Sequence, residues 1–346
     1  MIALYLTSMG EAAGKSALCA ALGRNLKAEG ERVGFFKPVA IPTEKASTGT
    51  ADQDTDFIKK ALALEEPVDL LCPTSLSAKD FQSTANEKEP AWLKKARESF
   101  GKVSQGKDVV LIEGVSGFKA GSGAALAGSH TVEALGAKAI LIVRYQSDLD
   151  ANQIVSAAKA LAGHLLGVVI NAVPQRRMDS VKATIVKSIE QNGIKVLGAL
   201  PEDRVLLSVS VGELAELLGG SILNSPKSSG NLVESVMVGA MSPDPAVSYL
   251  SLKQNKAVVT RGDRPDIQLA ALATSTSCLV LTGDIKPLPN VLGHATEMAV
   301  PVVSVKEGTV PTMEALENIL DKARFSHQKK VERLGELVKE HISLKL

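Results

Sequence analysis

The sequence predicts a doubly wound α/β domain with a parallel sheet, followed by a smaller α/β domain. Short runs of continuous apolar residues recur up to residue 200, and helical patterns separate them. Runs without polar–apolar alternation are typical of parallel strands that are covered on both faces. A stretch rich in Ser, Pro, Gly and Asn then follows residue 222 and indicates a boundary. The length of 346 residues also fits about two domains.

Six apolar runs predict the strands of the first sheet. They are Ile2–Leu6, Val33–Phe36, Val109–Ile112, Ala139–Val143, Gly167–Ile170 and Val196–Leu200. After the first run, residues 15–29 place Leu18, Leu22 and Leu26 on one stripe of a helix that Gly30 ends. Strands that alternate with helices in this way favour a doubly wound fold.

The predicted domains are residues 1–222 and 232–346, with a linker at 223–231. Further apolar runs predict the strands of the second domain: Ala257–Thr260, Cys278–Thr282 and Val302–Val305. From His327 onward, apolar residues recur at helical spacing. We therefore expect an amphipathic C-terminal helix that packs on its own domain or on a partner subunit.

Charge and composition argue against several classes of protein. The chain has 39 basic and 38 acidic residues, so its net charge of +1 gives no electrostatic case for binding nucleic acid or an anionic membrane. The three cysteines form no CxxC pair and the five histidines are scattered, which argues against a Cys/His metal site. No apolar stretch reaches the ~20 residues of a membrane span, and the start lacks the basic region of a signal peptide. We expect a cytoplasmic protein that binds neither nucleic acid nor membrane.

The segment Thr7–Gly23, TSMGEAAGKSALCAALG, predicts a phosphate-binding loop. An apolar strand runs into a turn that opens a helix at Gly14-Lys15-Ser16, which is the context that this motif requires. Lys15 is expected to reach the β- and γ-phosphate oxygens, and the Ser16 hydroxyl to ligate Mg²⁺. The strict pattern GxxxxGK[ST] needs glycine where this chain has Met9, so a plain strand–turn–helix remains the alternative. The residues expected to surround the phosphates are Gly10, Glu11, Ala12, Ala13, Gly14, Lys15, Ser16 and Ala17.

Charged residues follow the next two strands of the predicted sheet. Lys37 comes after the second strand and Glu113 ends the third, and the carboxyl ends of parallel strands border the ligand crevice. Lys37 is expected to point toward the same phosphates as Lys15, or else to be an ordinary surface lysine. Glu113 can hold Mg²⁺ directly or through water, or else be an exposed loop carboxylate. The acidic stretch 52–56 either caps the helix that follows it or supplies one more Mg²⁺ ligand.

These motifs together resemble the dethiobiotin synthetase family and the similar N-terminal part of long phosphate acetyltransferases. The stretches TSMGEAAGKS, GFFKPVA, DQDTD, VVLIEGVSG and GVVINAVP occur in the family order, over roughly residues 1–220. The resemblance implies a P-loop NTPase fold with ATP as ligand or substrate and Mg²⁺ as cofactor. It implies Lys15 and Lys37 as the catalytic cations that contact phosphate. The metal ligands that it implies are Ser16, Asp54 and Glu113.

The same resemblance implies two positions near the base. Asn171 of INAVP matches an asparagine that helps to read adenine, and Pro201 after VLGAL occupies the second base-contact loop. From the residues alone, Asn171 could equally be a turn residue before Pro174.

The second part resembles a DRTGG domain. The stretches that carry this likeness are VVTRGDRPDIQLAAL, CLVLTGD and VPVVSVKEGTVPT. Asp263 can cap a helix whose first turn holds Pro265 and Asp266, so starting a helix is the alternative to a ligand role for these residues. The chain departs from the family pattern at two positions, where Asp284 replaces a glycine and Gly308 replaces an acid.

Three functions from different classes follow as hypotheses. The first is a regulatory or sensor protein that binds Mg²⁺–ATP, hydrolyses it slowly, and contacts a protein partner through the DRTGG domain. The second is an ATP-dependent ligase or synthetase that activates a carboxylate or carbamate. The third is an oligomeric scaffold whose nucleotide site has decayed, as Met9 suggests. A homo-oligomer is expected, whereas phosphate acetyltransferase activity is not expected of this chain on its own.

Overall fold

The computed structural model describes residues 1–42, 52–85, 87–161, 163–317, 319 and 325–344. The chain forms two compact units. The first comprises Met1–Glu202 together with Gln328–Leu346, and the second is Asp203–His327. Among the described helices, none combines the length and the apolar character needed to cross a bilayer.

The first unit alternates strands with helices. Its strands are β1 (Ile2–Ser8), β2 (Val33–Phe36), β3 (Val109–Glu113), β4 (Lys138–Arg144), β5 (Leu165–Val173) and β6 (Val196–Pro201). Its helices up to residue 191 are α1 (Lys15–Ala28), α2 (Gln53–Ala61), α3 (Val68–Leu71), α4 (Ala78–Thr84), α5 (Ala91–Val103), α6 (Gly123–Leu135), α7 (Ala151–Lys159), α8 (Met178–Val181) and α9 (Lys187–Gln191).

The six strands form one parallel sheet in the order β2-β3-β1-β4-β5-β6. All six predicted strands are present, and the doubly wound α/β fold is confirmed. The middle residues of β1, β3 and β4 are fully or almost fully buried, as expected for strands that are covered on both faces. Because the strands are parallel, β1 and β3 end side by side, with Leu6 paired to Glu113. The residues that follow the strands therefore meet at one edge of the sheet.

The second unit is also an α/β structure. Its strands are β7 (Val209–Ser210), β8 (Ser221–Ile222), β9 (Leu232–Val233), β10 (Ser235–Val238), β11 (Lys256–Arg261), β12 (Thr276–Thr282) and β13 (Val302–Ser304). Its helices are α10 (Arg204–Leu207), α11 (Val211–Leu217), α12 (Pro243–Leu250), α13 (Pro265–Leu272), α14 (Pro289–Glu297) and α15 (Thr309–Leu316). The sheet runs β10-β11-β12-β13-β8, in which only the pairing of β8 is antiparallel. Helices α12, α13 and α14 cover one face, and α11 and α15 cover the other.

The units are bounded differently from the predicted domains. Residues 203–222 belong to the second unit because β8 adds to its sheet, with Ile222 paired to Val303. The predicted linker 223–231 is also part of this unit. The backbone N–H of Leu223 donates to the Val302 carbonyl at 2.8 Å, so the segment continues the structure of the sheet edge. Composition alone therefore placed this boundary too late.

The C-terminal helix α16 (Gln328–His341) belongs to the first unit, which corrects the prediction that it forms part of the second domain. Helix α16 contacts α1 and β6. The amide of Asn25 in α1 donates to the Gly335 carbonyl at 2.9 Å, and Ile342 forms an antiparallel bridge with Gly198 of β6. Its buried apolar stripe consists of Val331, Leu334, Leu337 and Val338. The sequence predicted an amphipathic helix here, but the surface that buries its apolar face belongs to the first unit and not to the second.

Candidate functional site

The phosphate loop spans residues 9–14, between β1 and α1. Gly14 precedes α1 with a left-handed backbone at φ 94°, and a Cβ there would lie 2.5 Å from Asn171 Nδ2. Both the backbone conformation and the available space therefore require glycine at this position. Because glycine has no capping side chain, the first N–H groups of α1 are available to an anion.

The backbone conformation at Met9 does not require glycine, which explains why the loop tolerates a glycine pattern that departs from the strict motif. Its N–H donates to the Ile142 carbonyl of β4 at 3.2 Å, so the backbone still follows the sheet at this point. Met9 also does not have a positive φ, whereas Ala12 has φ 49° and Gly14 has φ 94°. The left-handed turn thus comes later in the loop than the strict motif places its first glycine.

Two side chains from the sheet hold the carbonyl groups of this loop. Asn171 Nδ2 donates to the Ala13 carbonyl at 2.9 Å, and Arg144 Nη1 donates to the Ala12 carbonyl at 3.1 Å. In a trans peptide the N–H points away from the C=O, so the N–H groups of Ala13 and Gly14 are turned away from these anchors. This arrangement favours a nest of N–H groups that can bind an anion.

The two residues that the resemblance places near the base lie at the ends of neighbouring strands. The Asn171 amide is engaged at both ends, because its Oδ1 also accepts from the Ala172 N–H at 2.9 Å. Pro201 is buried at the end of β6, paired with Val173. Asn171 thus supports the phosphate loop in this structure, and base reading by either residue stays a prediction.

The ammonium group of Lys15 contacts two hydroxyl groups. It donates to Ser8 Oγ at 3.4 Å and to Ser116 Oγ, which lies in the loop after β3. Burial lowers the pKa of Lys15, and the nearby Glu113 carboxylate opposes that shift. Neutral hydroxyls are weaker partners for an ammonium group than ionised oxygens are, so Lys15 is well placed to exchange them for phosphate.

The three residues predicted to bind metal lie together beside the loop. The Ser16 hydroxyl lies 3.2 Å from Asp54 Oδ2 and 3.0 Å from Glu113 Oε1. Glu113 is only 4% exposed, and its Oε2 has no hydrogen-bond partner within the described part of the chain. Burial raises the pKa of Glu113, while the Lys37 ammonium opposes it. A buried carboxylate oxygen without a partner is an unusual cost in a native structure, and such an oxygen is available to a cation.

Lys37 is part of the same cluster and is not a surface lysine, since it is 9% exposed. Its Nζ lies 2.8 Å from Asp52 Oδ2, 3.3 Å from Glu113 Oε1 and 4.0 Å from Asp54 Oδ2. Burial acts to lower the pKa of Lys37, but the Glu113 and Asp52 carboxylates together raise it above its ordinary value. Lys37 therefore stays charged and lies among the acids that face Ser16.

The acidic stretch 52–56 divides its roles among three residues. Asp52 caps α2 by accepting from the Thr55 N–H at 3.0 Å, and it also pairs with Lys37. Asp54 faces Ser16, whereas Asp56 pairs with Lys60 at 2.6 Å on the exposed side of α2. Asp52 thus realises the helix-cap alternative, whereas Mg²⁺ binding by a member of this stretch stays a prediction.

The donor set fits Mg²⁺ bound together with phosphate. One hydroxyl and two carboxylates are hard oxygen donors, which Mg²⁺ prefers, and it commonly takes its remaining ligands from phosphate and water. Over the described residues, no group of three or more His, Cys, Asp or Glu side chains could hold a metal ion.

Several of these contacts were not predicted from the sequence. Ser8, Ser116 and Arg144 all lie at the carboxyl ends of strands, beside the phosphate loop. Their position at this edge was the available signal, because strand ends in such sheets border the ligand crevice. Asp52 was noted only as one member of an acidic triplet.

The second unit contradicts one expectation. Asp263 does not cap α13, which begins at Pro265 after Arg264. The Asp263 carboxylate instead pairs with Arg261 at 2.7 Å, because the neighbouring guanidinium is within reach of both carboxylate oxygens. Asp284 adopts a left-handed backbone with φ 55°, which explains why the family pattern has glycine at this position.

Comparison with known proteins matches both parts of the chain. The AAA domain family matches residues 3–209, and the DRTGG domain family matches residues 213–319. A phosphate acetyltransferase of Pseudomonas putida is 26% identical, over 95% of this chain and 49% of its own length. That of Nitratidesulfovibrio vulgaris is 25% identical, over 98% of this chain and 50% of its own length. The chain spans about half the length of these relatives.

A solved structure is also similar to part of this chain. It is cobyrinic acid a,c-diamide synthase from Mycobacterium smegmatis with bound ADP and magnesium, which is 13% identical. The similarity covers 59% of this chain and 88% of that chain, with a TM-score of 0.38. The family match over residues 3–209, more than half of the sequence, shows that the chain belongs to the AAA domain family of P-loop proteins, joined to a DRTGG domain as in the N-terminal region of phosphate acetyltransferases.

Proposed function

We propose that this chain is a regulatory protein that binds Mg²⁺–ATP in its first unit. The observation that carries the proposal is the convergence of Lys15, Ser16, Lys37, Asp54 and Glu113 beside the uncapped start of α1. Two cations, two carboxylates and a helix N-terminus match the needs of a nucleotide phosphate chain with its metal ion.

Each group has a role in this proposal. Lys15 and the loop N–H groups bind the β- and γ-phosphates, and Lys37 stabilises negative charge on the terminal phosphate. Ser16, Asp54 and Glu113 hold Mg²⁺, which when bound neutralises phosphate charge. The base lies toward the ends of β5 and β6, where Asn171 and Pro201 are placed.

The proposed regulatory role rests on the presence of a P-loop domain and a DRTGG domain in one chain. The chain is similar to the N-terminal half of phosphate acetyltransferases, and a DRTGG domain follows its P-loop domain. We propose that the nucleotide state of the first unit changes how the DRTGG unit binds a protein partner or a second copy of the chain. Hydrolysis is slow in this proposal, so that each nucleotide state lasts long enough to be read.

An ATP-dependent ligase is the second candidate, and one cavity favours it. A cavity of about 430 Å³ adjoins the phosphate loop at Met9 and is also lined by Lys119 and by Asp150 and Asn152 at the start of α7. It is large enough for a small carboxylic acid, whose carboxylate would be held by Lys119 and would accept the terminal phosphate of ATP to form an acyl phosphate while ADP leaves. This candidate predicts that a specific acid stimulates ADP release.

Thermal unfolding with and without ATP, GTP and Mg²⁺ tests the proposal, on the wild type, Lys15→Ala and the matched surface variant Lys95→Ala. A ligand at 100 times its dissociation constant adds ~2.7 kcal/mol, which corresponds to a shift of about 5–10 °C. We expect Mg²⁺–ATP to shift the wild type and Lys95→Ala but not Lys15→Ala. A wild type that no nucleotide shifts contradicts the proposal. ADP release that requires a carboxylic acid favours the ligase instead.

A further inference from the structure

The two hydroxyl groups that contact Lys15 differ in whether their own hydrogen atom already has an acceptor. Ser8 Oγ donates to the Gly10 carbonyl at 2.7 Å, so its hydrogen is committed within the phosphate loop. Ser116 Oγ accepts from Lys15, and within the described residues its own hydrogen has no acceptor. Ser116 is also partly exposed, so a ligand in the site can reach it.

Ser116 lies close to the expected place of the terminal phosphate of a bound nucleotide. It follows Glu113 by three residues, and Glu113 lies beside Ser16 at the proposed metal position. The lysine of a P-loop reaches the β- and γ-phosphates of a bound nucleotide. A hydroxyl that contacts the Lys15 ammonium from the Glu113 side therefore lies next to the oxygens of the terminal phosphate.

We propose that Ser116 is a specificity-determining residue that detects the terminal phosphate and makes the site prefer nucleoside triphosphate over diphosphate. This inference rests on the function proposed above. A terminal phosphate displaces Ser116 from Lys15, because an ionised oxygen is a stronger acceptor for the ammonium group than a neutral hydroxyl is. The released Ser116 hydroxyl then donates its hydrogen to that phosphate. A diphosphate lacks these oxygens and leaves the contact between Lys15 and Ser116 in place.

A purely structural role for Ser116 predicts a different result. If the hydroxyl only held the Lys15 side chain in position, its removal would change the affinity for triphosphate and diphosphate alike. If it detects the terminal phosphate, its removal changes the ratio of the two affinities. Ser8 provides the comparison, because its committed hydrogen cannot be donated to a phosphate without breaking the loop contact with Gly10.

Calorimetric titration of the full chain tests this with Mg²⁺–ADP and with a non-hydrolysable Mg²⁺–ATP analogue. The proteins are the wild type, Ser116→Ala, Ser116→Thr and Ser8→Ala. We expect Ser116→Ala to lower the triphosphate-to-diphosphate affinity ratio about tenfold, which is typical of one hydrogen bond to a charged group. Ser116→Thr keeps the hydroxyl and should keep the ratio, and Ser8→Ala should change both affinities equally.

Two results would overturn the inference. One is an unchanged affinity ratio in Ser116→Ala while the wild type binds both nucleotides, which leaves the proposed nucleotide site intact. The other is a wild type that binds neither nucleotide, which removes the proposed function and this inference with it. If Ser116→Ala fails to fold, the same ratio measured on Ser116→Val, which keeps the branched shape of Ser116→Thr without its hydroxyl, decides the question.

Discussion

The carboxylate of Asp52 joins the start of a helix to the charge cluster of the candidate site through Lys37. Its Oδ2 lies 2.8 Å from Lys37 Nζ and 3.0 Å from the backbone nitrogen of Thr55 in α2. One oxygen therefore serves both partners, and the position of Lys37 is coupled to the start of α2.

Two substitutions at Asp52 separate its two roles. Asp52→Ala removes both the cap and the ion pair, and loss of the cap alone should lower the free energy of unfolding by about 1 kcal/mol. Asp52→Asn keeps a capping oxygen and should retain most of that contribution, while it removes the charge beside Lys37. Urea denaturation measures both, with Asp56→Asn on the exposed side of α2 as the control. Equal losses for Asn and Ala would mean that the ion pair, not the cap, dominates.

The pH dependence of stability should follow from the same residue. Burial acts to raise the pKa of Asp52, but the Lys37 ammonium and the hydrogen bonds from Thr55 lower it overall. A carboxylate with a lowered folded pKa contributes stability above its unfolded pKa of about 3.9, and this is lost as pH falls through the folded value. The wild type should therefore lose more stability than Asp52→Asn as the pH falls below about 4. Urea midpoints across this range measure the difference, and parallel curves would contradict it.

The contribution of Glu113 to the pH dependence of stability should have the opposite sign to that of Asp52. Burial raises its pKa against the opposing charge of Lys37, so any stability gained from the protonated form is lost as pH rises through the folded value. Above the folded pKa of Glu113, the ionised group is a cost that Glu113→Gln avoids. The variant should be at least as stable as the wild type without ligand, yet lose the Mg²⁺-dependent part of its thermal shift with ATP. Glu133→Gln, at an exposed position of α6, is the control. A full Mg²⁺ effect in Glu113→Gln would exclude Glu113 as a metal ligand.

Glycine should be required at Gly14 and dispensable at Gly10. A Cβ at Gly14 meets both a positive φ of 94° and the Asn171 amide, whereas a Cβ at Gly10 has nothing within 4 Å. Gly14→Ala should destabilise the protein by at least about 1 kcal/mol and remove the nucleotide-dependent thermal shift. Gly10→Ala should leave the unfolding midpoint close to that of the wild type. Similar midpoints for the two variants would show that the loop rearranges freely.

Truncation at the predicted domain boundary should fail. A chain of residues 1–222 lacks α16, whose stripe of Val331, Leu334, Leu337 and Val338 is buried in the first unit. Its loss exposes several apolar side chains and the surface of α1 that they cover, and each buried side chain of this size contributes about 1.5–3 kcal/mol. Circular dichroism and size-exclusion chromatography should show an aggregating or partly unfolded product. A monomeric, cooperatively unfolding fragment would mean that α16 is dispensable.

The strands of the first sheet were predictable because each is a continuous apolar run. The contacts of the loop side chains were not, since Ser8, Ser116 and Arg144 carry no periodic signal and gain their roles only when parallel strands bring their ends together. The convergence of Lys15 with Glu113 was predictable from the same topological rule, because Lys15 follows the first predicted parallel strand and Glu113 ends the third.

The main limit of prediction from the sequence was the packing of an element against residues far away in the chain. The pattern of α16 specifies one apolar face but not which surface covers it, and the covering residues lie some 300 positions away in the sequence, as for Asn25 and Gly335. Short strands such as β8 were missed because two residues give no periodicity, and their assignment depends on the partner strand. The carboxylate of Asp263 could reach either a helix start or Arg261, and only the backbone path decides between them.

The return of α16 to the first unit has a consequence for how the protein is made. Synthesis proceeds from the N-terminus, so residues 203–327 leave the ribosome before the helix that completes the first unit. The first unit must then wait with the α1 surface uncovered, while the second unit has its whole sequence available to fold. The second unit is thus expected to reach its native state first, and a pause in translation before residue 328 would prolong the exposure of the unit that carries the candidate site.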